Sequence, residues 1–564
     1  MPEPDLKQMP AFEAIQLTKA YQADDRYASS PGARPAQLLP INRMSLSVAD
    51  RVTTVRMTPG LLHLCVGASA YLFLFFIGDH LLQDSDTYWH IRIGQWIIDH
   101  AAVPYSDFYS FTRSGSPWMS NAWLSQVLYA TAYAHAGWVG PVALASLATA
   151  AALVIFLNLV ESCFEPVRRV LLALLALVLS SPHLLARPHV LALPLMVAWV
   201  GGLIRAVDRR TLPSWRLLPL MAVWANLHGG FVLGLALIAP IALEALWQSP
   251  AGQRFVVAKQ WSLFAIAALI ASCCTPYLYD TLIAAAKIMD LGQVLTMVSE
   301  WRPADFSTFG PFEAALLALI GLAFHRGVVL SFPRIALLLL LTHMALSHIR
   351  CLEAFAFLVP LAMATPFRDQ AAPPTPADAI DTRASSLVSA LGMLTVIGAT
   401  LASTLVYTAH HDFGFVMTHT PAAALDALRQ HQARRIFNDY QFGGFLIANE
   451  VPTFIDGRAE LYGENFTMNY LKAIEGRSVD QVAALLDEFH VDATLLAPDR
   501  PAAQLLDHMP GWTRLYADDV AVAHVRTRPA KTDAAHQTQT PGDHPNHLDL
   551  KASLPNRVSC SMRG

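Results

Sequence analysis

The sequence predicts a polytopic α-helical membrane protein that carries a small extracytoplasmic α/β domain near its C-terminal end. Three observations lead there. Of 564 residues, 54% are hydrophobic and only 15% charged, and the mean hydropathy is +0.38, above what soluble globular chains show. Apolar runs approaching the roughly 20 residues needed to cross a bilayer recur along the first 408 positions. Beyond them the composition turns soluble, and helix-like and strand-like segments alternate. The net charge of -4 offers no basic field for a nucleic-acid backbone. No Gly-rich phosphate loop is present either, which argues against nucleotide-driven chemistry. The six cysteines show no metal-ligand spacing and read as packing residues.

In chain order, residues 1–59 hold scattered charge, Pro and Ser without a sustained period, and read as a disordered cytoplasmic lead. The expected spans fall near 60–78, 139–160, 170–182, 188–205, 214–227, 229–247, 260–277, 311–326, 330–347, 351–366 and 386–408, about eleven in all. The run 121–138 is interrupted by Gln126, Tyr129, Tyr133 and His135, so it is assigned to a helix lying along the membrane surface. With that run flat, the basic loops at 168–169, 205–216, 254–259, 326–334 and 368–383 all face the cytoplasm. The first outer loop, 79–138, and everything after 408 then face outward. Residues 60–366 form the main membrane domain. A Pro-rich cytoplasmic linker, 367–385, separates it from the last span, 386–408. Glu244, near the inner end of an apolar run, reads as snorkelling to the cytoplasmic boundary.

The soluble domain is expected over 409–528, with helices at 422–432 and 479–489 and strands at 435–438, 453–456, 493–496 and near 520–525. A disordered tail, 529–564, follows. Gly443 and Gly457 read as turn glycines. Asp456 and Arg458 stand at a strand end, where they serve either as a sugar-reading pair or as a structural ion pair.

On the outer side this topology gathers Asp84, Asp86, His90, Arg92, His183, Arg187, His189, Asn226, His228, Glu300, Arg302, His348 and Arg350. Ionisable groups at a membrane edge are functional candidates because burying them unpaired is expensive. Singly, each also fits an ordinary wetted interfacial residue. Together, from at least five segments, they suggest one shared cavity. Two carboxylates at i and i+2 can supply a base for an acceptor hydroxyl, with the second orienting it or holding a divalent cation. Neighbouring Arg and His groups can neutralise charge developing on a phosphate leaving group.

The acidic pair, the following DTYWHIRIGQWIIDHAAVPYSDFYSFT and PWMSNAWLSQVLY, and then ARPHV, WANLHGGFVLG, SEWRPADF, NDYQFGGFL and PTFIDGRAELYG resemble, in their order, the GT-C superfamily of membrane glycosyltransferases. The likeness covers about residues 60 to 470 and lies nearest to bacterial members with a soluble C-terminal domain. It implies a polyprenyl-phosphate sugar as donor, a glycan, lipid or protein as acceptor, and a place in the cell (inner) membrane among its lipids. It also implies that Asp84 and Asp86 are the catalytic acids, with Asp86 the candidate ligand for a divalent ion, Mg or Mn. The substrate-binding candidates are His90, His183, Arg187, His189, Asn226, His228, Arg350, Asp456 and Arg458. The tryptophan-rich acceptor motif of oligosaccharyltransferases is absent. A transporter or flippase of a lipid-linked or anionic solute is the alternative, although such proteins seat their ligands near the midplane between repeated halves. A non-catalytic envelope-assembly protein would need no acidic pair.

Overall fold

The protein is described here from a computed structural model, in which residues 58–289, 292, 299–370, 386–415, 420–476 and 478–527 are described. The expected lead up to residue 57, the linker from 371 to 385 and the tail lie outside them.

Prolines punctuate the membrane domain. A ring at the first or second helical position fixes φ where no intrahelical N–H bond is lost. That is how α1 (Pro59–Phe76), α5 (Pro166–Ser180), α6 (Pro188–Asp208), α11 (Pro311–Arg326) and α12 (Phe332–Ser347) begin. Between α1 and α5 lie α2 (Asp86–His100), α3 (Trp123–Ala136) and α4 (Val139–Val160). Between α6 and α11 come α7 (Leu218–Leu227), α8 (Phe231–Ala236), α9 (Ile238–Gln248) and α10 (Arg254–Ser272). The bundle closes with α13 (Leu352–Asp369) and α14 (Ser386–Thr408).

Among the described residues, eight helical stretches are long and apolar enough to cross a membrane: α1, α4, α5, α6, the α8–α9 pair, α10, α13 and α14. Three other expected spans are shorter helices, with 10 residues in α7 and 16 each in α11 and α12. Helix α6 is the hub, with 72% of its apolar window buried, whereas α14 has none buried and lies against α1. The amphipathic run is indeed one helix, α3. It packs on α2 so closely that a Cβ on Gly94 would sit 2.0 Å from the Gln126 carbonyl oxygen.

The snorkelling assignment of Glu244 is corrected. Its carboxylate accepts from Arg334 Nε at 2.5 Å and from Ser331 Oγ at 2.6 Å, while Arg334 also reaches Asp208 at 2.6 Å and the Ala362 carbonyl at 2.7 Å. With Arg334 1% exposed, the cluster pins α6, α9, α12 and α13 together at the end of the bundle away from Asp84. Each of the three guanidinium nitrogens has a partner, as a buried charge requires.

The soluble domain is a four-stranded sheet in the order β1-β2-β4-β3, from β1 (Ile436–Asn438), β2 (Ala493–Leu496), β3 (Trp512–Ala517) and β4 (Val522–Arg526). β1 and β2 are parallel and the other pairings antiparallel. Neighbouring residues point to opposite faces. Phe437, Leu496 and Val522 pack on one side with α17 (Ala459–Glu475), α18 (Val479–Glu488) and α19 (Pro501–Leu506). Ile436, Leu495 and Ala523 pack on the other with α15 (Ala422–Gln430) and α16 (Gly443–Ala448). β3 was not anticipated, and 453–456 is not a strand: Thr453 makes only single bridges, to Ile436 and to Ser110 of the first outer loop. Those bridges matter. The Phe111 N–H donates to the Thr453 carbonyl, the Thr453 N–H to that of Tyr109, and Thr112 Oγ1 to that of Phe454. The segment between α2 and α3 is thereby stitched to the sheet-containing domain.

Candidate active site

The acidic loop is built by short-range hydrogen bonds. Asp84 Oδ1 accepts from the Asp86 N–H at 2.9 Å, and the Thr87 N–H donates to the Asp84 carbonyl, so the chain turns straight into α2. Both carboxylates thus lie at the electropositive start of a helix. Two bonds then bring the turn before α6 alongside: the Ala186 N–H donates to the Leu81 carbonyl at 2.7 Å, and Thr87 Oγ1 to the Ala186 carbonyl at 3.1 Å. The next residue, Arg187, has nowhere to go but onto the acids. Its Nη1 meets Asp84 Oδ2 at 2.8 Å and its Nη2 meets Asp86 Oδ2 at 2.9 Å. Nη1 also pairs with Glu300, from the loop before α11. Asp86 Oδ1 accepts from Trp89 Nε1 at 2.9 Å.

The electrostatics follow from enclosure. Burial pushes the Asp86 carboxyl up to about 7, the Asp84 carboxylate adds to the rise, and Arg187 and the Trp89 bond only partly offset it. Glu300 goes the other way, down to about 2, because Arg187 faces it directly.

Beside this cluster stands a second wall. His189 Nε2 donates to the His183 carbonyl at 2.6 Å and lies 3.7 Å from Glu353 Oε1, while its ring is 6.1 Å from that of His228. His228 Nδ1 accepts from the Gly230 N–H, so its proton sits on Nε2. Burial, followed by the charge of Arg350, holds it well below the usual histidine range. Arg350 lies 4.4 Å over the Trp301 ring and forms no ion pair among the described residues. Two buried atoms in this wall lack any hydrogen-bond partner, His183 Nε2 and Glu353 Oε1.

The soluble domain is seated on the acids. A Cβ at Gly444 would lie 2.1 Å from the Ser85 carbonyl oxygen, and one at Gly457 would lie 2.1 Å from Asp86 Oδ1. Neither glycine is there for a turn. Gly443 begins α16, Gly444 is the point where a helix meets the backbone of the acidic loop, and Gly457 lies against the Asp86 carboxylate.

No protein-family model matches the chain, and no curated protein matches it. It is similar in structure to the oligosaccharyltransferase AglB of Archaeoglobus fulgidus, a GT-C superfamily enzyme, solved with an inhibitory peptide and a dolichol-phosphate, at 11% identity, TM-score 0.44, over 76% of this chain and 69% of that one. It is likewise similar to an Archaeoglobus fulgidus oligosaccharyltransferase in the apo form (11%, TM-score 0.43, 77% and 69%) and with Zn and sulfate (12%, TM-score 0.42, 77% and 68%). Likeness at this level says nothing about which residues act or on what. Those follow from the side chains of this chain.

Of the residues singled out in the sequence, Asp84, Asp86, Arg187, His183, His189, His228 and Arg350 form one cluster of mutually interacting groups. Four other assignments find protein partners instead. Asn226 is consumed as a brace: its amide donates to the Ala222 and Cys274 carbonyls, and its Oδ1 accepts from Trp123 Nε1 at 2.7 Å. His90, 5% exposed, bonds to Gln126 beneath the loop. Asp456 and Arg458 are a sealed ion pair with no exposed side chain. Arg458 spans Asp456 (2.7 and 2.8 Å) and Asp107 (2.6 Å), and Tyr462 and Thr453 fill the remaining lone pair sites. Asp86 as a metal ligand meets a fourth obstacle. Among the described residues no set of three His, Cys, Asp or Glu is arranged to hold a metal ion, and its Oδ2 is on Arg187. Glu300 was in the polar set without a role, and Glu353 was missed. The signal for Glu353 was a carboxylate three residues past Arg350, inside an apolar run.

Proposed function

We propose that the protein is a membrane glycosyltransferase that moves a sugar from a polyprenyl-phosphate carrier to an acceptor hydroxyl on the outer face of the cell membrane. The observation that carries this reading is the meeting of a near-neutral carboxyl, Asp86, with a wall whose arginine, Arg350, forms no direct ion pair among the described residues, at the ends of apolar helices. A carboxyl near 7 is well matched to general-base work at physiological pH. The acceptor oxygen attacks the anomeric carbon, its proton passes to Asp86, and the bond from that carbon to the phosphate oxygen breaks with its electron pair leaving on the phosphate. Asp84 holds the loop geometry through its bond to the Asp86 N–H. Arg350, the His228 Nε2 proton and His183 are the donors available to the departing phosphate. Arg187, engaged by three carboxylates, is not.

An apolar cleft between α5, α11 and α13 adds support for a lipid-linked donor. Leu171, Leu175, Leu179, Leu319, Phe355 and Val359 line it, and it ends within one helical turn of Glu353 and His183. The test is sugar transfer by purified protein from short-chain polyprenyl-phosphate sugars, alongside comparison of envelope glycans with and without the gene. Transfer that Asp86→Asn abolishes is expected. Unchanged glycans together with no transfer from any such donor would overturn the reading.

A further inference from the structure

Three carboxylates from two distant stretches of chain end on the two terminal nitrogens of a single guanidinium: Asp84 and Glu300 on Nη1 and Asp86 on Nη2 of Arg187. Three converging carboxylates with oxygens at one point is what a hard divalent ion would ordinarily neutralise. Here the point of convergence is filled. The aspartates' other oxygens are also spoken for, Asp84 Oδ1 by the Asp86 N–H and Asp86 Oδ1 by Trp89 Nε1. Arg187 itself is held in place on both sides: its carbonyl accepts from Tyr129 Oη at 3.0 Å, and Pro188 follows it at the start of α6. A planar fork with five donors suits this bridging role in a way a lysine's single ammonium does not.

We infer that Arg187 is the built-in counter-cation of the Asp84–Asp86–Glu300 cluster, occupying the position a divalent ion would need, so that the site is charge-compensated by the chain itself. The inference deepens the glycosyl-transfer reading in one respect, that transfer then requires no added metal, and rests on that reading only there. The counter-cation role stands on the geometry alone.

The test is Mn²⁺ titration of the full-length protein in detergent, followed by calorimetry and by the electron-spin signal of free Mn²⁺. Wild type is expected to show no stoichiometric site. Arg187→Met frees the three carboxylates and is expected to gain one Mn²⁺ site, bound at least about tenfold more tightly than by wild type. Adding Asp84→Asn takes that gain away, and Arg187→Lys, which keeps the positive charge, shows none. A wild-type Mn²⁺ site that Asp86→Asn removes would overturn the inference, and so would a folded Arg187→Met protein that binds no ion. Should Arg187→Met fail to fold, the wild-type titration decides alone. Wild-type transfer that chelator leaves undiminished supports the metal-free reaction, and transfer that stops until Mn²⁺ is restored overturns it. Absence of transfer with and without Mn²⁺ counts against the glycosyl-transfer reading, while the binding titration still decides the role of Arg187.

Discussion

Replacing Gly444 by alanine tests whether the soluble domain is part of the active site. The new Cβ would stand 2.1 Å from the Ser85 carbonyl oxygen and 2.8 Å from its carbon. That is roughly 1.4 Å short of the ~3.5 Å at which non-bonded heavy atoms rest. The obstacle is backbone, so no rotamer change relieves it; either α16 lifts or the Asp84–Asp86 loop shifts by about 1 Å. Overpacking of that size costs about 1–3 kcal/mol of stability, and a displacement near 1 Å at reacting groups costs about 10²-fold in rate. Transfer kinetics and the thermal unfolding midpoint read the two effects separately, with Gly398→Ala in α14, where nothing lies within 4 Å, as control. Gly457→Ala meets the Asp86 carboxylate itself, a side chain that can rotate away. Its expected loss is therefore greater in kcat than in stability. A Gly444→Ala protein with wild-type kcat/KM and an unchanged midpoint would refute the seating of the domain on the loop.

Since burial raises Asp86 to about 7, its base form appears only as pH rises through that value. kcat/KM should climb across roughly pH 6–8 and then level, and Asp86→Asn should cost about 10²–10⁴-fold and abolish the climb; a flat wild-type profile contradicts this. The same raised value gives the stability sign: the contribution is complete below the unfolded value near ~4 and is lost as pH rises through about 7. The wild-type unfolding midpoint should therefore fall over that window relative to Asp86→Asn, and parallel curves would count against it. Arg350→Ala removes a charge-assisted contact worth about 1.5–3 kcal/mol, so KM for the phosphate donor should rise roughly 10–100-fold with a smaller change in kcat; an unmoved KM removes Arg350 from the phosphate site. Arg458→Met strands Asp107 and Asp456 without a cation in a sealed interior and should cost about 3–5 kcal/mol, visible as a lowered unfolding midpoint.

Much of the site was legible because its signals are local. A carboxylate pair after an apolar run, and an Arg-Pro-His turn between two others, stand out since such groups are rare at a membrane edge. Their partners' engagements were not legible. Asn226 and His228 sit two residues apart on one turn, yet the first braces Trp123 and the Cys274 carbonyl while the second meets the ring of His189. Asp456 and Arg458 carry the composition of a sugar-reading pair, and only the approach of Asp107, more than three hundred residues earlier, makes them a lock. Gly443 and Gly457 carry the signature of turns, and it takes the facing segments to show what a side chain at Gly457, or at the neighbouring Gly444, would strike.

The sequence by itself determined the class of molecule, many of the places where helices start, and the residues expensive enough to demand a use. These depend on local properties: hydropathy over a span's length, a proline's fixed φ, the charge of a loop. Only the tertiary structure decided which charges neutralise one another, that Arg187 belongs to three carboxylates rather than to a ligand, and that Arg350 forms no direct ion pair among the described residues. Coulombic pairing and desolvation act over a few ångströms in space, and the chain order does not encode those distances.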